Sequence, residues 1–203
     1  MPWACRRFRT PSVNMTIIPK IRALRGVLRY VRREIYAKLD PIGYARSIGV
    51  RVGENVHFYG MPSGMFSTEP WLITIGNNVH VTSGCMFVTH DGGTLILRKE
   101  VPDLEWTAPI TVGNDVYIGF RTMIMPGVNI GSRVIIGAGS IVTKDIPDNS
   151  VAAGVPARVI KTVDEYLEQM KKKSLKCGHL QGLEKETVLK RIFGVTTEAS
   201  FLK

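Results

Sequence analysis

Nowhere in these 203 residues does an uninterrupted apolar run reach the ~18 residues of a membrane span, so a transmembrane segment is not expected. No apolar core follows the N-terminal arginines either, which argues against a secretion signal. Cysteine is sparse: Cys5, Cys85 and Cys177 are odd in number and lack metal-like spacing. A reducing cytoplasmic setting is the expectation, with neither a disulfide framework nor a zinc ribbon. Carboxylates are scarce in one place only. Residues 1–46 hold 11 Lys and Arg against Glu34 and Asp40, a balance of +9 out of a total of +10. The body is therefore nearly neutral, and a nucleic-acid groove through it is not expected.

What is present is enough for a core. Hydrophobic residues make up 44% and charged residues 22%, which excludes wholesale disorder. Residues 1–14 show no periodicity and read as an unstructured leader. Over 15–46, Ile17, Ile21, Leu24, Leu28, Val31, Ile35 and Leu39 recur at helical steps, with most arginines off that stripe. Pro41 and Gly43 end the segment. This basic amphipathic helix has two candidate roles: a cap on the open end of the fold, or a peripheral contact with an anionic membrane.

From 47 to 160 the dominant signal is a repeat. In "VGNDVYIGFRTMIMPGVNIGSRVIIGAGSIVTKDIP" aliphatic residues fall at Val112, Ile118, Ile124, Ile130, Ile136 and Val142, six hits at a spacing of six. Glycine follows four of them, and small or β-branched residues stand four places after nearly all. The frame continues through Ile75, Val81 and Phe87, with a looser copy at Val52 to Phe58. A helix cannot carry this period, and glycine at each repeat would cost about 1 kcal/mol apiece there. A solenoid of short strands can, with the aliphatic residue inward and the glycine at the bend. Four to five coils are expected, broken by excursions at 60–72 and 91–109. A C-terminal helical segment fills 161–203, with short helices near Asp164–Leu175 and Glu184–Phe193.

The repeat together with "GAGSIVTKDIPDNSVAAGVPARVIK" resembles the left-handed β-helix, or hexapeptide-repeat, acyltransferases, especially the galactoside and maltose O-acetyltransferases. "TEPWLITIGNNV" and "THDGGTLILRKE" are similar to the branch that acetylates capsule and O-antigen sugars. The resemblance spans about residues 48–175. It implies a mainly β protein, a left-handed parallel β-helix, assembled as a homotrimer. It also implies acetyl-CoA as donor, a saccharide acceptor in surface-polysaccharide synthesis, a cytoplasmic location at or near the membrane face, and no resident metal.

His90 stands where that family places its catalytic histidine, directly before the 91–109 excursion. An imidazole titrates near neutrality and can take a proton from a sugar hydroxyl. Asp91 is a second catalytic candidate, as a group that orients the ring or contacts the sugar; an Asp before Gly92 and Gly93 is also an ordinary turn residue. Asp103 and Glu105 are rival orienting acids. By motif position, Gly119 and Ala138 match residues lining the donor groove, although a solenoid wants small residues there anyway. Thr143, Lys144, Arg158 and Lys161 match the stretches that meet the donor's phosphates, or are solvated surface residues. Phe66 and Trp71 are candidates for stacking on a sugar, with packing under the loop expected for at least one.

Rival readings remain. A xenobiotic or amino-sugar N-acetyltransferase would share fold and chemistry and differ in acceptor. A carbonic-anhydrase-like zinc enzyme would need His57, His80 and His90 together, at spacings unlike that family's. A non-catalytic scaffold would leave the break behind His90 without purpose.

Overall fold

The structure, a computed structural model, describes residues 17–195, with side chains from residue 25 onward. The leader 1–14 lies outside the described residues. Helix α1 (Ile17–Leu39) is followed at once by α2 (Pro41–Ser47). Asp40 divides them by accepting the Gly43 amide at 2.8 Å, so Pro41 and Gly43 begin a second helix as well as ending the first.

The chain then winds through three parallel sheets. One side of the coil is built from β1 (Arg51–Val52), β3 (Ile73–Ile75), β6 (Ile110–Val112) and β9 (Asn129–Ile130). The second side is β2 (His57–Phe58), β4 (Val79–Val81), β7 (Val116–Ile118), β10 (Val134–Ile136) and β12 (Ser150–Gly154). The third is β5 (Met86–Phe87), β8 (Met123–Ile124) and β11 (Ile141–Val142). Every strand of the coil pairs in parallel with its counterpart in the neighbouring coil, giving a parallel β-helix. β13 (Ala157–Thr162) then folds back antiparallel onto β12, and α3 (Val163–Lys173) and α4 (Gly182–Ile192) follow. Thr162 and Glu165 form a reciprocal capping box at the start of α3.

The hexad pattern is the core. Val112, Ile118, Ile124, Ile130, Ile136 and Val142 are all buried, as are Val116, Thr122, Val128, Val134, Ser140 and Ile146. The two hydroxyls among them are satisfied by one carbonyl, Gly137 O, which accepts from Thr122 at 3.3 Å and Ser140 at 2.6 Å. Coil 3 to coil 4 advances 18 residues and coil 2 to coil 3 advances 37; the 91–109 excursion accounts for the surplus.

Three expectations change in detail. Gly113, Gly119, Gly131 and Gly137 do not sit in left-handed backbone; they stack. A Cβ on Gly76 would stand 2.5 Å from Gly113 O, and one on Gly113 2.7 Å from Gly131 C. At one corner the left-handed positions belong instead to Asn55, Asn78, Asp115, Arg133 and Asn149, whereas Gly84, Gly127 and Gly139 do take left-handed backbone at the others. Asn55 donates to Asn78 at 2.8 Å and Asn78 to Asp115 at 2.6 Å, which secures that column. The 60–72 segment divides: Phe66 bridges Phe87 in parallel and so completes the third side of the first coil, between short turns at Pro62–Gly64 and Pro70–Leu72. Finally, α2 rather than the apolar stripe of α1 covers the open end, because Ala45 and Val50 join the core while Leu28, Val31, Ile35 and Leu39 are exposed.

Overpacking typically costs about 1–3 kcal/mol. Gly76→Ala is expected to lose about that much in urea unfolding. Gly92→Ala, where an added Cβ meets nothing within 4 Å, is expected to stay near wild type.

Candidate active site

At the end of the third side in coil 2, Val88 to His90 reach the corner from which the excursion departs. The excursion leaves and returns through a narrow neck: Asp91 N donates to Trp106 O at 2.9 Å and Ala108 N to Thr89 O at 2.8 Å. One coil earlier, the same corner is made by Ser67, Thr68 and Glu69. The parallel bridge between Phe66 and Phe87 sets this register and brings Glu69 beside His90.

The contact is direct. His90 Nδ1 lies 2.8 Å from Glu69 Oε2. Thr68 Oγ1 donates to Glu69 Oε1 at 2.6 Å, and the buried Thr89 Oγ1 donates to Oε2 at 2.7 Å. Those bonds from Thr68, Thr89 and His90 outweigh partial burial and hold the Glu69 carboxyl down at about 2. An ionised carboxylate can only accept, so the neutral imidazole carries its proton on Nδ1. Its Nε2 is then left with a free lone pair. The same accounting runs backward through Thr89: with its own proton on Glu69, Thr89 Oγ1 accepts from Ser67 Oγ, 2.5 Å away, while Ser67 Oγ takes the Thr89 amide at 3.1 Å.

The ring borders a pocket lined by Thr68, Glu69, His90, Asp91, Gly92 and Arg98, among others. His90 is one-third exposed at its side chain and Glu69 about one-quarter, an arrangement suited to a base that must meet a solvent-borne acceptor.

Asp91 lines this pocket but does not bond the ring; its Oδ1 accepts the Gly93 amide at 2.8 Å, the turn role. Glu105 is engaged by Arg98 and by Thr107 Oγ1 at 2.9 Å, and Asp103 makes no bond to His90. The acid on the imidazole is thus Glu69, which the sequence reading did not single out. The available signal was "STEPW", lying 21 residues before His90, one coil distant once Phe66 is placed in the coil.

The remaining candidates lie apart from the pocket. Thr143 and Lys144 occupy the same corner as His90 but two coils farther along, after β11. Gly119 and Ala138 stack on the neighbouring corner, where a Cβ on Gly119 would stand 2.6 Å from Ala138 N; the glycine therefore serves coil stacking whatever else it does. Arg158 and Lys161 are on β13, with Lys161 Nζ donating to Gln169 Oε1 at 2.7 Å. Of the two aromatics, Phe66 packs against Phe58 and Phe87 with ring centroids 5.9 and 5.5 Å apart, and Trp71 is 55% exposed. His57 and His80 stack 4.9 Å apart on the outer face of the second side, away from His90. No cluster of three His, Cys, Asp or Glu with metal-holding geometry occurs among the described residues.

Comparison with known proteins places the chain in a family. The model of the bacterial transferase hexapeptide (six repeats) matches residues 109–144. Protein CapG of Staphylococcus aureus is 48% identical over 121 residues, covering 60% of this chain and 70% of that protein. This chain belongs to the hexapeptide-repeat transferases. Within that family, galactoside O-acetyltransferase of Escherichia coli (strain K12) is 40% identical over 126 residues, which is 62% of this chain but only 60% of that relative. A solved maltose O-acetyltransferase from Clostridium difficile 630 shares 30% identity over 65% of this chain and 87% of its own, with a TM-score of 0.44.

The Glu69 contact carries a pH signature. Its folded value lies below the ordinary 4.5, so the stability it confers is complete above about pH 4.5 and lost as pH falls toward 2. Glu69→Gln is therefore expected to be less stable than wild type at neutral pH, with the gap closing in acid-unfolding curves at the low end. Nitrogen-15 NMR of the ring is expected to show the Nδ1–H tautomer in wild type and a mixture in the variant.

Proposed function

We propose that this hexapeptide-repeat transferase is an acetyl-CoA-dependent O-acetyltransferase with His90 as general base. The observation that carries the reading is Glu69 on His90 Nδ1 beside a pocket that His90 lines, a contact that assigns the proton of the neutral ring to Nδ1 and the lone pair to Nε2. Bound acetyl-CoA supplies the acetyl thioester. His90 Nε2 takes the proton of the acceptor hydroxyl as that oxygen forms the new ester bond and the C–S bond breaks. The same proton then passes to the departing thiolate, so the ring ends neutral and the products are acetylated acceptor and free CoA. Glu69 stays ionised throughout; it fixes the ring and stabilises the imidazolium. Such help is worth about 10²–10⁴ in rate.

For the donor, Lys144 and Arg158 are the fitting cations. Both are exposed and neither holds an ion pair among the described residues, so their charges are available to phosphates. Ala138 and Thr143 line the approach, Gly119 keeps the coil edge flat, and Lys161 is the weakest member because Gln169 already holds it. Asp91 is assigned to the turn and to the pocket wall, within reach of an acceptor hydroxyl.

The acceptor is a sugar. The galactoside relative supports a saccharide hydroxyl, and the resemblance around Glu69 and His90 extends this to a surface polysaccharide of capsule or O-antigen type, or its precursor, acetylated in the cytoplasm. The coil is read as left-handed and the assembly as a homotrimer. In its support, Leu95, Ile96 and Leu97 on the excursion are exposed, which suits a loop that covers a site on a neighbouring subunit.

Thermal unfolding with and without acetyl-CoA, combined with a transfer assay over bacterial sugars, tests this. At a hundred times its dissociation constant the donor should add about 2.7 kcal/mol to both wild type and His90→Ala, while His90→Ala loses transfer by about 10²–10⁴. Absence of stabilisation in either form, or undiminished transfer by the variant, refutes the reading. Lys144→Ala combined with Arg158→Ala is expected to raise the acetyl-CoA KM severalfold with kcat little changed; an unaltered KM removes both from the donor site.

A further inference from the structure

Helix α1 meets the β-helix with the face opposite its apolar stripe. Ala37 is wholly buried and Glu34 accepts from Ser63 Oγ at 2.7 Å. Leu28, Val31, Ile35 and Leu39 share the other face at steps of three and four, yet they are 54%, 43%, 52% and 79% exposed. Arg25, Arg29 and Arg32 run along one flank of this stripe, exposed and without an ion pair among the described residues; Lys38 stands on the other flank. No carboxylate precedes Glu34 anywhere in the chain. A groove between α1 and α2 prolongs the stripe, lined by Ile35, Leu39 and Ile48 together with Arg29, Arg32 and Arg33. Tyr36, an amphipathic side chain, is also exposed here.

We propose that α1 is a docking element for an anionic lipid surface, lying in the plane of the interface with its apolar stripe in the acyl boundary and its arginines among the headgroup phosphates. No described helix is long and apolar enough to cross a membrane, so α1 lies on the bilayer instead of spanning it. Two features select this occupant. The stripe needs an apolar partner from Leu28 to Leu39, and the flank needs closely spaced anions; a bilayer with acidic headgroups offers both in one plane. A second copy of the chain would satisfy the stripe but would set two arms of +9 against each other. The inference does not depend on the transfer reaction.

The test is co-sedimentation of the full-length protein with vesicles of pure phosphatidylcholine and of phosphatidylcholine mixed with phosphatidylglycerol. Wild type is expected on the mixed vesicles only, with retention falling as salt is raised. Arg29→Ala with Arg32→Ala should weaken partitioning about twenty-five-fold, about fivefold for each charge. Val31→Ser with Ile35→Ser should reduce retention at unchanged net charge. Both pairs replace exposed side chains, so melting temperatures should match wild type and confirm folding. Equal retention on both vesicle types, no retention on either, or retention unmoved by the variants overturns the proposal. So does a serine pair that dissociates an assembly in light scattering while leaving retention intact, since the stripe is then an interface between copies.

Discussion

Backbone amides of each coil donate to carbonyls of the next: Gly53 to Ile75, Gly76 to Val112, Gly113 to Ile130 and Gly131 to Ile146, all at 2.8–2.9 Å. This ladder holds successive coils near the strand spacing of about 4.8 Å, and everything else adjusts to it. Glycine is required where one backbone lies directly over another. Aliphatic residues must recur in register because each sits on its counterpart. Polar corner residues form columns because the corner of one coil has only the next corner to bond. A short repeat thus produces long-range order from nearest-neighbour contacts alone.

The site is an instance of the same rule. Glu69 and His90 are distant in sequence and adjacent in space because they occupy one corner in successive coils. The Ser67–Thr89 pair beneath them belongs to those corners too, so the hydrogen-bond chain that fixes the imidazole is a property of coil stacking and not of a flexible loop. In the proposed mechanism, preorganisation of this kind limits the reorganisation needed when charge develops on the ring.

Much of this was legible in the chain. Six aliphatic residues at a strict spacing of six are all buried in the core, and the break behind His90 is a true departure from the cylinder. Glu69 was not legible for a specific reason: the turn at Pro62–Gly64 shifts the hexad frame, so Phe66 and the residues after it fall out of phase with the repeat they belong to. The glycines that follow the inward aliphatics were read as bends because glycine often supplies positive φ; Gly113, Gly119, Gly131 and Gly137 answer instead to the closeness of the neighbouring coil, while Gly84, Gly127 and Gly139, outside that repeat position, are the ones with positive φ. Periodicity also showed which residues of α1 share a face. It carried no information about what lies against that face, and the structure turns it outward.

Among the described residues, the excursion's neck is tied by the backbone bonds at Thr89–Asp91 and Trp106–Ala108 around the His90–Thr107 bridge. Coil stacking therefore does not register what lies between them, and the length and content of 92–105 can drift without a change in coil register. Its residues form much of the pocket wall, whereas Glu69 and His90 belong to the stack. If the proposed function holds, acceptor preference and scaffold integrity are separable under selection: a lineage can exchange its acceptor by rewriting one loop while the Glu69–His90 geometry is inherited intact.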